Sequence, residues 1–209
     1  MSSRETILKK LRSVSAPFES VQPVTERRVI QPMPDDLATW RETFIKQLQA
    51  LAATVYEPAD DAAALKQIFE IIGEDKQVLA WDFDFIPLKG LDTALSQAGV
   101  EIADSHDGSI RVGITGVDAA FAATGSMVLC ATPQKPRGVS LLPYVHVAVI
   151  RTSQFYPHFE AWIAEQTPET FRASANINIV TGASRTADIG MELVLGAHGP
   201  AQLYIILLN

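Results

Sequence analysis

Apolar residues recur at helical spacing along the first third of the chain. The first such segment begins at the capping signature of Ser2 and Glu5 and continues to Val14. A second, which Asp35 can cap, is strongly amphipathic and carries its apolar face on Leu37, Trp40, Phe44, Leu48 and Leu51. A third runs over about 60–72 and ends at Gly73, a residue suited to a left-handed cap. The pattern therefore predicts three N-terminal helices.

Beyond Gly73 the pattern changes to short apolar runs separated by helical or turn segments. Seven runs are predicted as strands: 77–81, 100–103, 110–115, 127–131, 145–150, 177–181 and 203–208. Four intervening segments are predicted as helices: 91–98, 117–124, 154–166 and 186–195. Several strands are almost entirely apolar, which is typical of strands buried on both faces. This alternation predicts an α/β fold with a largely parallel sheet covered on both sides.

Prolines mark the boundary between an N-terminal extension and the rest of the chain. Four of them lie within 17–34, a segment with little apolar periodicity. We therefore divide the 209 residues into a helix and arm at 1–34 and one α/β domain at 35–209. Within that domain, 35–73 is predicted to be helical and 74–209 to form the core.

Composition excludes several classes of function. With 17 basic and 24 acidic residues, a net charge of −7 argues against nucleic acid or anionic lipid as a general partner. The single cysteine, Cys130, cannot form an internal disulfide or hold an iron–sulfur cluster. The four histidines include no pair at helical metal-ligand spacing, so no metal site is expected. No apolar run reaches the about 18 residues of a membrane span and no signal-peptide core is present, which predicts a cytoplasmic protein.

Three glycine-containing segments remain as candidates once the standard nucleotide-binding and hydrolase motifs prove absent. The residues that could bind a ligand there are Thr115, Gly116 and Asp118; Thr124, Gly125 and Ser126; and Gly182, Ser184, Arg185, Thr186 and Asp188. Loops at the carboxyl ends of strands form the ligand crevice of open α/β sheets. The third segment would also open a helix, whose free N–H groups would hold a carboxylate or phosphate. A plain helix cap explains the same residues equally well.

Two histidines have different expected roles. His198 lies in a glycine- and proline-rich turn at 196–200, where it could act as an acid–base group, bind an anion or cap the preceding helix. His198 and Asp118 are therefore the candidate catalytic residues. His146 lies inside a predicted strand and is expected to be a core or edge histidine rather than a ligand.

Five segments of the chain resemble the LUD-domain family, in particular its lactate utilization protein C (LutC/YkgG) branch. They are 113–119, 124–129, 140–143, 181–189 and 193–200. The resemblance extends over about 37–209, and the closing pattern T-G-x-S-x-x-A-D with G-x-H-G-P is its most specific part. It implies a three-layer, Rossmann-like α/β fold similar to the NagB/RpiA/CoA-transferase group.

The resemblance also implies a place in organic acid metabolism, the oxidation of L-lactate to pyruvate. The iron–sulfur clusters of that reaction are expected in two partner proteins, and no cofactor is expected in this chain. Ala123 and Gly190 stand where members often carry glutamate. If the first of these glutamates were a nucleophile or base, this protein could not use it, so the resemblance supports ligand binding more firmly than catalysis.

Two functions follow from these observations. The first is an accessory, non-redox component of L-lactate utilization that binds a small carboxylate or other anion, the iron–sulfur subunits, or both. The second is a stand-alone enzyme of the CoA-transferase or sugar-phosphate isomerase type, acting on an acyl or phosphorylated substrate. The residues alone leave open whether the chain is an enzyme.

Overall fold

The computed structural model describes residues 3–14, 33–187 and 193–209. The chain divides into two compact units, Met1–Pro32 and Met33–Asn209. The described part of the first unit is the helix α1 (Ser3–Val14), on which Ile7 and Leu11 are 58% and 63% exposed. The predicted proline-marked arm, 17–34, lies outside the described residues except for its last two, Met33 and Pro34.

Removal of the first unit should leave a folded protein. We expect deletion of residues 1–30 to shift the melting temperature by less than about 4 °C, or about 1 kcal/mol for a chain of this size. The reason is that the second unit is compact by itself and that every core residue identified among the described residues lies in it. Differential scanning calorimetry of the truncated chain tests this, and a broad, non-cooperative transition would show that the first unit belongs to the core.

The second unit contains six α-helices, two short 3-10 helices and twelve strands within its described residues. The helices are α2 (Leu37–Ala50), α3 (Asp61–Ile72), α4 (Leu91–Gln97), α5 (Gly138–Leu141), α6 (Phe159–Glu165) and α7 (Pro168–Ala173). The strands are β1 (Thr54–Tyr56), β2 (Gln77–Ala80), β3 (Glu101–Ile102), β4 (Val112–Thr115), β5 (Ala119–Phe121), β6 (Ser126–Ala131), β7 (Val145–Arg151), β8 (Phe155–Tyr156), β9 (Asn176–Val180), β10 (Arg185–Ala187), β11 (Leu193–Leu195) and β12 (Gln202–Leu208). None of the described helices is long and apolar enough to cross a membrane.

The central sheet is entirely parallel and has the order β1-β12-β7-β4-β2-β3. Its inner strands β4 and β7 are buried along almost their whole length, as their continuous apolar sequences require. Helices cover the sheet, so the predicted mixed α/β class is confirmed. The chain runs from β2 outward to β3 and then back to β4, which places a reversal of strand order between the carboxyl ends of β2 and β4.

Two further sheets correct the expectation of a single one. A four-stranded sheet has the order β8-β5-β6-β9, with antiparallel pairing of β6 to both β5 and β9. Its strand β5 lies where a helix was predicted over 117–124. The alanine-rich sequence has high helix propensity, but β5 is completely buried, and packing overrides propensity there.

The helix predicted over 186–195 is also wrong. In the structure β10 and β11 pair antiparallel, with Thr186 opposite Val194, and no helix begins at the glycine turn before them. The helix predicted over 154–166 is confirmed only for its last part, α6. By contrast, α3 begins at the N-cap Asp60 and ends at Gly73 with φ +62°, as predicted. The N-cap of α2 is Asp36, one residue beyond the predicted Asp35.

Candidate functional site

Hydrogen bonds join the turn at 181–185 to the turn at 196–200. The Ser184 N–H donates to the Pro200 carbonyl over 2.9 Å, and the Gly196 N–H donates to the Ser184 carbonyl over 3.0 Å. The His198 N–H donates to the Ser184 hydroxyl over 3.3 Å. Ser184 therefore holds His198 beside the predicted binding loop, even though no helix opens there.

A cavity of about 290 Å³ lies between these two turns. Residues of both turns line it, Arg185 and His198 among them, together with the buried residues His146 and Leu203. His146 is the second residue of β7 and Leu203 the second residue of β12. The cavity thus lies at the amino-terminal ends of the central strands, not at the carboxyl ends where the sequence predicted the crevice. The prediction was misplaced because the loop at 181–185 follows β9 of the smaller sheet.

A chain of hydroxyl groups connects the second predicted segment to the same region. Thr124 Oγ1 lies 2.7 Å from Ser126 Oγ, which lies 2.7 Å from Thr181 Oγ1. Ser126 is buried at the start of β6, while Thr124 is exposed. Two of the three predicted segments are therefore physically joined, and their hydroxyl groups orient one another.

The two glycines of these segments pack against the carboxyl end of α2. A Cβ atom on Gly125 would lie 2.9 Å from the Gln47 Cβ, and one on Gly182, whose φ is +85°, would lie 2.9 Å from the Leu51 Cβ. The Arg185 guanidinium donates to the Leu51 carbonyl at the same helix end. Gly182 therefore permits close packing of its turn against the end of α2 rather than against a ligand. Arg185 is hydrogen-bonded to the same helix end and also lines the cavity.

His146 is buried, and the expectation of a core histidine is confirmed. Its Nε2 atom lies 2.9 Å from the Thr115 hydroxyl, and burial lowers the pKa of the imidazole from 6.5 to about 4. The ring is neutral at physiological pH and lines the cavity floor. Thr115, a predicted site residue, reaches the cavity only through this ring.

The structure places Gly116 and Asp118 elsewhere, at the carboxyl end of β4. Gly116 packs against the Phe85 carbonyl. The Asp118 carboxylate accepts the Cys130 N–H over 2.7 Å, near the carboxyl end of β6, whereas Ser126 lies at the amino end of that strand. Asp118 also forms an ion pair with Lys135. Asp118 is therefore not a neighbour of His198. Thr186 lies on β10, and Asp188, like Gly190, lies outside the described residues.

The family model described as LUD domain matches residues 41–208, most of the chain. The chain belongs to the LUD domain family.

Relatives of this LUD domain carry names that concern lactate. The lactate utilization protein C of Macrococcus caseolyticus is 32% identical over 69% of this chain and 66% of that protein. The lactate utilization protein C of Shouchella clausii is 29% identical over 98% of this chain and 90% of that protein. An uncharacterized protein of Neisseria meningitidis is 35% identical over 47% of this chain. The chain covers only 42% of the length of that Neisseria protein.

A solved structure shares the fold. A DUF162 family protein from Deinococcus radiodurans superposes with a TM-score of 0.62 at 18% identity, covering 85% of this chain and 100% of that chain. This similarity supports the architecture of the LUD domain.

Lys135 is the residue of interest that sequence patterns missed in this LUD domain. It is only 7% exposed, and its partner Asp118 is 17 positions away, across the β5–β6 hairpin. No spacing rule connects such a pair. The signal that could have found it is the confinement of a lysine between two prolines, Pro133 and Pro136, directly after a buried strand.

Proposed function

We propose that this LUD-domain protein is an accessory, non-redox component of L-lactate utilization that binds a small carboxylate in the cavity between its two turns. The observation that carries the proposal is the junction of the 181–185 and 196–200 turns through Ser184, which brings His198 and Arg185 to one cavity wall. The names of the relatives supply the pathway, since proteins called lactate utilization protein C match as much as 98% of this chain.

The chemistry of the cavity suits a small anion. Arg185 uses one nitrogen for the Leu51 carbonyl, and a guanidinium has further N–H groups for a carboxylate. Ser184 and His198 line the same cavity, and both residue types have side chains that can hydrogen-bond a carboxylate. A volume of about 290 Å³ is near the lower end of ligand pockets, which favours a molecule with few heavy atoms.

Electron transfer would belong to other proteins. Cys130 is a single, buried thiol, and burial raises its pKa, so it offers neither a cluster ligand set nor a ready thiolate. We therefore place the iron–sulfur clusters in partner subunits that this chain binds. The protein would contribute substrate or product binding and assembly.

Binding measurements on one histidine variant test the cavity. We expect His198→Ala to weaken binding of L-lactate or pyruvate about tenfold to a hundredfold, because a lost hydrogen bond to a charged ligand costs about 1.5–3 kcal/mol. Isothermal titration calorimetry gives the affinity. His106→Ala is the matched control, since the His106 side chain is 92% exposed outside this cavity, and it should bind like the unmodified protein.

Genetics and purification test the pathway. Cells that lack the protein should fail to grow on L-lactate, and the tagged protein should co-purify with proteins that contain iron–sulfur clusters. If His198→Ala and His106→Ala bound L-lactate or pyruvate with equal affinity, the ligand site would not be in this cavity. Turnover of an acyl-CoA or a sugar phosphate by the isolated chain would contradict the accessory role and favour a stand-alone enzyme.

A further inference from the structure

A second polar cluster lies at the reversal of strand order, away from the cavity of the proposed function. In open parallel sheets, ligand sites form at the carboxyl ends of the strands where the order reverses. Here the segment after β2, Trp81–Phe85, meets Gly116 after β4. A Cβ atom on Gly116 would lie 2.1 Å from the Phe85 carbonyl oxygen, so the two segments are in backbone contact.

A tight turn carries Lys135 to this position. The Thr132 N–H donates to the Lys135 carbonyl over 3.2 Å, and the Lys135 N–H donates back to the Thr132 carbonyl over 3.1 Å. The turn is also fixed to the segment after β2. The Asp82 N–H donates to the Gln134 carbonyl over 2.9 Å, and the Trp81 indole N–H donates to the Pro136 carbonyl over 3.3 Å. The backbone of Lys135 is therefore fixed from both sides.

The amino group of Lys135 has an unusual environment for a lysine. It forms an ion pair with Asp118, and it lies 5.5 Å from the ring centroids of both Trp81 and Phe85. Within the described ranges, Asp118 is the one carboxylate in ion-pair contact with it. The second oxygen of Asp118 accepts the Cys130 N–H, which fixes the orientation of the carboxylate. One base is thus held directly against one desolvated amine.

Lys135 and Asp118 both line a cavity of about 370 Å³. Its other lining residues include Trp162, Thr132, Gln166, Thr170 and Ser174. The Gln166 amide donates one N–H to the Trp162 carbonyl and the Ser174 hydroxyl donates to the Thr170 carbonyl, which leaves, within the described residues, the second Gln166 N–H and the Thr170 hydroxyl for a ligand. Hydroxyl and amide groups can hold a carboxylate without adding net charge. A small molecule that enters this cavity therefore meets an amine, a base and hydrogen-bond donors together.

We propose that Lys135 forms a Schiff base with a small keto acid in this cavity. Asp118 takes one proton from the Lys135 ammonium, and the freed nitrogen attacks the carbonyl carbon. The carbonyl π electrons move to oxygen, and that oxygen takes one of the two protons left on the attacking nitrogen, which gives a neutral carbinolamine. Loss of that oxygen as water, with the proton carried back by Asp118, leaves an iminium at Nζ. One ammonium and one keto acid thus give one iminium and one water, and Asp118 is regenerated beside the positive charge.

Reductive trapping on the full chain tests the proposal. The protein is incubated with pyruvate and sodium borohydride, and the modified lysine is located by peptide mass spectrometry. We expect the adduct on Lys135 and little on Lys66, whose side chain is 80% exposed and represents an ordinary surface amine. Uniform labelling of surface lysines without Lys135 would overturn the proposal, whatever any variant does.

Variants separate the amine from its base. Lys135→Arg keeps the positive charge beside Asp118 and should abolish the trapped adduct, while the control Lys66→Arg should retain it. Asp118→Asn should slow trapping by about a hundredfold, because a positioned proton carrier contributes about that much.

Acetaldehyde has a carbonyl but no carboxylate, so labelling by acetaldehyde and not by pyruvate would overturn the keto acid assignment. His198→Ala should leave trapping unchanged, which distinguishes this site from the cavity of the proposed function.

Discussion

Replacement of Gly113 by alanine should lower the free energy of unfolding by about 3 kcal/mol or more. Gly113 lies in the middle of the central sheet, paired with Leu79 of β2 and His146 of β7. A Cβ atom there would lie 2.0 Å from the Val139 carbonyl oxygen and 2.8 Å from the Pro143 Cγ. Neither neighbour is the end of a flexible side chain, so α5 would have to move away from the sheet. That movement would open the core between α5 and the strands it covers.

Gly108→Ala is the matched control for this substitution. A Cβ atom on Gly108 would meet nothing within 4 Å. We expect a change of less than about 0.5 kcal/mol for this variant. Urea unfolding followed by tryptophan fluorescence gives both values. A Gly113→Ala protein as stable as Gly108→Ala would mean that α5 does not lie on β4 as closely as described.

Local patterns predicted those elements that begin and end at distinctive residues. The third helix was predicted over about 60–72 with its end at Gly73, and in the structure it lies between the N-cap Asp60 and the C-cap Gly73. The inner strands were predicted because a run such as Val145–Arg151 is apolar at nearly every position. A run of this length that is rich in β-branched residues is typical of a strand buried on both faces.

The β10–β11 hairpin shows where local patterns fail. The apolar run Leu193–Leu195 before Gly196 has the appearance of a helix end, yet it forms one strand of a two-stranded sheet. A short apolar run fits either element, and the choice depends on the partner strand Arg185–Ala187. The anion-binding helix N-terminus that the sequence predicted is therefore absent from the described residues of this turn. His198 is nevertheless held beside the 181–185 turn by its hydrogen bond to Ser184.

Asp118 and Lys135 could not be paired from the sequence. Their contact depends on the β5–β6 hairpin, which brings Asp118 to Cys130, and on the turn that follows β6. The segment of β5 was predicted as a helix, and in a helix Asp118 would have no fixed relation to β6. One error in secondary structure therefore concealed the most buried charged residue of the described chain.

Acid should destabilise the protein through the buried imidazole of His146. Burial lowers the pKa of this imidazole to about 4, whereas in the unfolded chain it returns to its ordinary value near 6.5. Between these two pH values the unfolded chain binds a proton that the folded chain excludes. The free energy of unfolding therefore falls as the pH decreases from about 6.5 to about 4, by up to about 3 kcal/mol from this group.

A comparison with His146→Gln isolates this contribution. Glutamine does not titrate, and the carboxylates that titrate in the same range are present in both proteins and cancel in the difference. The stability difference between the two proteins, measured by urea unfolding at pH 7 and pH 4, should change by about 3 kcal/mol in favour of the variant at pH 4. Thr115→Val removes the hydroxyl 2.9 Å from Nε2 but leaves the ring buried, so it should keep the pH dependence of the unmodified protein. Parallel stability curves for the unmodified protein and His146→Gln would mean that the imidazole is protonated in the folded state. The floor of the cavity beside His198 would then carry a positive charge rather than a neutral ring.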